Sequence, residues 1–98
     1  MRVVNKKYFV GHGEYIGRPS ALGNPFVIGR DGNRDEVIAK YRVWLWGEIK
    51  KRGAVYNELL RLAKLDIDGE VTLVCYCKPV PCHGDVIIKA IEWLNGNF

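Results

Sequence analysis

Residues 75–85 read CYCKPVPCHGD, and this stretch holds all three cysteines of the chain and one of its two histidines. Three chemistries fit such a cluster. The first is a metal. Cys75 and Cys77 stand two apart in an apolar run, so on a strand both thiols project from one face. Cys82 and His83 follow after a short turn, and the four side chains Cys75, Cys77, Cys82 and His83 form a candidate Cys₃His zinc set. Against it, the usual C-x₂-C knuckle is absent. Adjacent Cys82 and His83 would also splay about 100° apart on a helix. The second chemistry is a reactive thiol. Pro81 precedes Cys82, and His83, Gly84 and Asp85 open a helix, where unpaired N–H groups and the positive dipole end can depress a thiol pKa. There Cys82 or Asp85 would be nucleophile or base, with His83 transferring protons. The amides near Gly84 would also suit phosphate or carboxylate. The third reading is packing: free cysteine fills a core as a small hydrophobe, and Asp85 caps a helix.

A second polar stretch, YIGRPSALGNPF at 15–26, lies inside a long segment rich in Gly, Pro and Asn. Gly17 permits close backbone approach, Arg18 can fork onto an anion, and Ser20 and Asn24 offer neutral hydrogen bonds. The stretch matches neither a P-loop nor G-x-G-x-x-G. By composition alone it is as well read as a structural loop.

The two stretches together, G-R-P-S-x-L-G-N-P-F and C-x-C-x-P-x-x-C-H-G-D-V, resemble a family of small proteins in phages, bacteria and archaea, catalogued as domain of unknown function number 4326. The resemblance runs from about Tyr15 to Leu94. It implies that these residues matter and implies no reaction, because the family carries no established activity.

Elements that could position the stretches are legible. Residues 2–10 read as a strand, and 26–28 as a short one. Asn33 offers an N-cap with Glu36 three residues on. Ile38, Tyr41, Leu45 and Ile49 follow at helical spacing to about Arg52, with Gly53 as the stop. A second helix is expected over 54–65 and a turn over 66–69. Residues 71–77, VTLVCYC, read as a strand buried on both faces. A last helix carries Val86, Ile87, Ala90, Ile91 and Leu94 and closes at Asn95-Gly96. Helices between two strands predict parallel pairing. The fold expected is a single α/β domain over 1–98. Its short, partly parallel sheet would be flanked by about three helices, as a Rossmann-like three-layer or a two-layer sandwich. Trp44, Trp46 and Trp93 read as core or dimer-contact aromatics.

The chain is 98 residues with a formal net charge of +4, which mildly favours anionic partners. Its basic residues are scattered. The tightest run, Lys50-Lys51-Arg52, falls where cations complement a helix end. No signal-like or membrane-spanning run is present, so a cytoplasmic, reduced setting and no membrane partner are expected. The leading functional expectation is a small anionic, nucleotide-like ligand between the 82–85 helix start and the 17–24 loop, with hydrolase or transferase chemistry left open. The alternative is a zinc-stabilised module binding nucleic acid or protein, using Lys6, Lys7, Lys50, Lys51 and Arg52. A host-interaction protein with merely buried cysteines is the third, and a homodimer is compatible with each.

Overall fold

Period-two alternation along three short strands sets the architecture. The structure is a computed structural model and describes residues 1–78 and 80–96. In chain order the elements are β1 (Arg2–Asn5), β2 (Glu14–Tyr15), α1 (Arg34–Lys51), α2 (Ala54–Asp68), β3 (Thr72–Cys75) and α3 (His83–Gly96). The sheet order is β1-β3-β2, with both neighbours parallel to β3. Val3 pairs with Leu73, Asn5 with Cys75, and Glu14 with Leu73. These residues turn toward the helices, and Leu73 and Cys75 share a core with Tyr41, Leu45, Leu59, Ile87 and Ile91. Arg2, Thr72, Val74 and Tyr15 belong to the opposite face. The result is a small two-layer α/β domain, as the helix-between-strands order predicts.

Several boundaries differ from the sequence reading, each for a local reason. The first strand stops at Asn5 rather than Val10. The Asn5 side chain donates to the carbonyls of Tyr76 (3.2 Å) and Lys78 (2.7 Å) and accepts from Lys7 N–H (2.9 Å), which turns the chain out of the sheet. Residues 6–13 then pass over the helix-free face of β3 to reach β2 on its far side. A Cβ at Gly13 would lie 2.5 Å from Val74 Cγ2, so this crossing needs a glycine. Gly13→Ala is therefore expected to cost about 1–3 kcal/mol. A fall in the urea midpoint with unchanged slope would measure it, and an unchanged midpoint would contradict this packing.

No strand forms at 26–28. Asn24 accepts from Phe26 N–H (2.9 Å) and Asp31 from Val27 N–H (2.8 Å), and these turns take the backbone groups a strand would use. The residue that sequence reading took as the end of α1 also shifts. Arg52 itself adopts the left-handed conformation (φ 55°), while Gly53 becomes the extended N-cap of α2. The Arg52 guanidinium lies 5.3 Å over the Tyr56 ring. Helix α2 runs on through three of the four residues expected to turn, and ends at Gly69. Helix α3, by contrast, starts at His83, where His83, Gly84 and Asp85 were expected to open it. Residue 79, within the expected KPVPC turn, lies outside the described residues.

The Asn33 capping box is present as expected: its side chain accepts from Glu36 N–H, and the Glu36 carboxylate accepts from Asn33 N–H, both at 2.9 Å. Lys50 and Lys51 sit in the last turn of α1. Trp44 and Trp46 pack partly buried against the core, and Trp46 meets Trp93 edge-on at 5.0 Å. Among the described residues, no helix is long and apolar enough to cross a membrane.

Candidate functional site

All three strands are parallel, so their carboxyl ends meet at one edge. There β2 runs into the loop from Ile16 onward, and β3 runs toward Cys82 and the start of α3. Three pins hold the loop. His83 donates from Nε2 to the Ile16 carbonyl (2.8 Å), an acceptor that fixes the proton on that nitrogen. Tyr41 donates to the Leu22 carbonyl (2.7 Å), and Asn24 to that of Val37 (3.4 Å). Tyr15 donates to the Arg18 carbonyl (3.0 Å), and the Arg18–Pro19 peptide is cis. A Cβ at Gly23 would lie 2.9 Å from the Arg18 backbone, so the loop closes tightly on itself.

The start of α3 is capped by its own residues. Gly84 N–H donates to Cys82 Sγ (3.3 Å), and the Asp85 carboxylate accepts from Cys82 N–H (3.2 Å). The pattern is like a capping box, but the cap is a thiol and it accepts from the second helical amide rather than the third. Asp85 also pairs with Lys78 at 2.7 Å. Gly84 is buried, and a Cβ there would meet Val3 at 2.8 Å and Ile16 at 2.9 Å. Its glycine therefore serves the close approach of α3 to the sheet, and its amide already has a partner.

The thiols come together although β3 ends at Cys75 and leaves Cys77 beyond the strand. The Sγ atoms of Cys75, Cys77 and Cys82 all lie within 4.8 Å of one another. Cys75 and Cys82 are buried and their sulfurs are 3.1 Å apart. The contact between them, in which one thiol donates to the other, lowers the Cys75 pKa and raises that of Cys82, and burial raises Cys82 further. Cys82 is 1% exposed, so its environment is the reverse of what activates a nucleophile. His83 stands outside the close thiol group; its Nδ1 faces Cys82 Sγ at 3.6 Å.

Burial lowers the His83 pKa below its ordinary 6.5. The folded ring resists a proton that the unfolded chain accepts. Its contribution to stability is therefore full above pH 6.5 and is lost as pH falls through the folded-state value. For metal-free protein, the urea midpoint should drop between pH 7.5 and pH 5.5. His83→Gln, which keeps a donor for Ile16, should flatten that drop. An equally steep drop in the variant would contradict it.

A cleft of about 190 Å³ joins the two polar stretches. It is lined by Arg18 and Asn24 from the loop, by Cys77, Pro81, Cys82 and His83 from the second stretch, and by Phe26, Val27, Ile28, Val37 and Ile38. Arg34 lines it too, and sequence reading missed this residue. Arg34 donates to the Pro81 carbonyl at 3.2 Å. The Arg18 side chain is exposed and makes no hydrogen bond or ion pair among the described residues. Gly17, Ser20, Gly84 and Asp85 do not line the cleft. Asn24 is already engaged on both sides of its amide, and Ser20 Oγ is buried with no hydrogen-bond partner among the described residues. Lys50, Lys51 and Arg52 do not line it either.

No curated protein and no solved structure matches the chain. A family model does match, over residues 3–93, and so takes in the loop, β2, α1, α2, β3 and the thiol cluster, with most of β1 and α3. The chain therefore belongs to the family described as Domain of unknown function (DUF4326).

Proposed function

We propose that this domain binds a small anionic ligand in the cleft between the loop and the start of α3. One observation carries the reading. Two arginines from separate parts of the chain, Arg18 and Arg34, line the same small cleft, and the Arg18 side chain has no hydrogen-bond or ion-pair partner among the described residues. Guanidinium groups favour phosphate and carboxylate oxygens, and a hydrogen bond to a charged group contributes about 1.5–3 kcal/mol. At about 190 Å³ the cleft suits a phosphate, a diphosphate or a small dicarboxylate rather than a whole nucleotide. A nucleotide would place its phosphates here, at Arg18 and Arg34, with its base outside. Inorganic pyrophosphate is the simplest probe. Calorimetry should find one site per chain, and no heat at millimolar pyrophosphate would count against the proposal.

A second reading rests on a separate observation, the three clustered thiols. Sulfur donors of this kind fit zinc, with Cys75, Cys77 and Cys82 as ligands and His83 Nδ1 next to Cys82. Zinc–sulfur bonds of about 2.3 Å in a tetrahedron separate two sulfurs by roughly 3.8 Å, so the Cys75–Cys82 pair would open slightly to admit the ion. The readings are compatible, because Cys77 and Cys82 belong both to the thiol group and to the cleft wall. Bound zinc would add a Lewis-acidic charge to the cleft floor.

A further inference from the structure

The face of the sheet that no helix covers has its own chemistry, separate from the cleft. Alternation puts Arg2, Val4 and then Lys6 on this face from β1, Val74 and then Tyr76 from β3, and Tyr15 from β2. The crossing segment 6–13 adds Lys7, Tyr8 and Phe9. Cations and rings alternate across it. Arg2 lies 5.9 Å from the Phe9 ring centre, Lys6 5.0 Å from that of Tyr15, and Lys7 5.6 Å from that of Tyr8. Tyr15 and Tyr76 meet edge-on at 6.1 Å, so each leaves a ring face unstacked by the other. Tyr8 is 76% and Tyr76 61% exposed, so both rings are open to solvent. A recess of about 280 Å³ lies between Phe9 and Tyr15 and is lined also by Lys6 and Val74.

The nearby carboxylates are turned away or already paired. Glu14 points to the helix side and is bound by Arg61 at 2.5 Å, and Asp85 is held by Lys78. The face is thus cationic and aromatic together. That combination fits phosphates along a flexible backbone with bases stacked on rings. Tyr15 and Thr72, the polar strand side chains of this face, are already hydrogen-bonded within the protein. The face therefore offers charge and rings rather than a reader of a 2′-hydroxyl. A duplex would hide its base faces from the tyrosines.

We infer that the helix-free side of the sheet, formed with the segment 6–13 that crosses it and presenting Lys6, Phe9, Tyr15 and Tyr76, is a docking surface for single-stranded DNA. Backbone phosphates lie along Arg2, Lys6 and Lys7, and bases stack on Tyr76 and Tyr8.

The test is fluorescence anisotropy with a 5′-labelled twelve-nucleotide oligothymidylate and the full chain. Binding should weaken with salt, with a log–log slope of about −2 for three phosphate contacts. Tyr76→Ala should weaken it about fivefold or more, the loss expected for one stacked base. Lys6→Ala should weaken it and flatten the salt slope by about 0.7. Both side chains are exposed, and circular dichroism would verify that the variants fold. Lys50→Ala, at the far end of α1, should leave the affinity unchanged. Tyr76→Ala should also leave pyrophosphate binding in the cleft intact, which separates a failure here from a failure of the cleft. Absence of binding, salt-insensitive binding, or full affinity in both Tyr76→Ala and Lys6→Ala would overturn the inference. Tighter binding of the duplex or of the matching RNA would overturn the assignment to single-stranded DNA.

Discussion

Replacing Arg18 and Arg34 together by alanine should weaken pyrophosphate binding by about 10²- to 10⁴-fold while leaving the fold intact. The magnitude follows from two charge-assisted hydrogen-bonding groups at about 1.5–3 kcal/mol each. The two residues should not contribute alike. The Arg18 side chain is exposed and makes no hydrogen bond or ion pair among the described residues, so Arg18→Ala removes ligand contacts and little else. Arg34 also donates to the Pro81 carbonyl, so Arg34→Ala should loosen the turn before α3 and cost a modest fraction of a typical hydrogen bond's 0.5–1.5 kcal/mol in stability. Arg18→Lys should recover part of the affinity, because a point charge keeps the attraction and loses the fork. Calorimetry on the four proteins measures this. Wild-type affinity in the double variant would show that the ligand sits elsewhere.

The second large effect concerns the thiols. If zinc occupies Cys75, Cys77 and Cys82, protein purified without a chelator should contain about one zinc per chain. Removing it should lower the melting temperature by roughly 10 °C or more, because binding to the folded state alone is linked directly to stability. Cys77→Ser should reduce zinc affinity while leaving the core untouched, since Cys77 is only partly buried. Cys75→Ser and Cys82→Ser each place a hydroxyl in the core and should destabilise the metal-free protein as well. The contrast between Cys77→Ser and the two buried substitutions separates ligation from packing. A metal-free preparation whose melting temperature ignores both chelator and added zinc would leave Cys75 and Cys82 as core residues joined by a thiol–thiol contact.

Much of the scaffold was legible because its signals are local. The Asn33–Glu36 box, the Tyr41–Leu45–Ile49 stripe and the apolar run before Cys75 each specify an element within a few residues. What was not legible depends on distant partners. A two-residue strand at Glu14–Tyr15 has no periodicity to read; it exists because Ile16 N–H and its neighbours find the β3 backbone. Arg52 takes a left-handed conformation that its own residue type disfavours, and Tyr56 sits beneath its guanidinium.

The candidate site divides in the same way. Residue types pointed to Arg18, Asn24, Cys77, Cys82 and His83, and the fold brings these to one cleft. Gly17, Ser20, Gly84 and Asp85 do not line it, and Gly84 and Asp85 have structural contacts that sequence could not distinguish from ligand contacts. Gly84 illustrates why: a glycine needed for approach to a phosphate and one needed for approach to Val3 look identical in sequence. Arg34 was missed for the opposite reason, since nothing in the first turn of a helix says which loop it faces.

The most direct test of a single anion site built from both polar stretches is a pyrophosphate titration followed by amide NMR. Shifts should concentrate at Arg18, Arg34, Cys77, Cys82 and His83 and saturate together with one dissociation constant. Shifts confined to other surfaces, or none at saturating pyrophosphate, would contradict it.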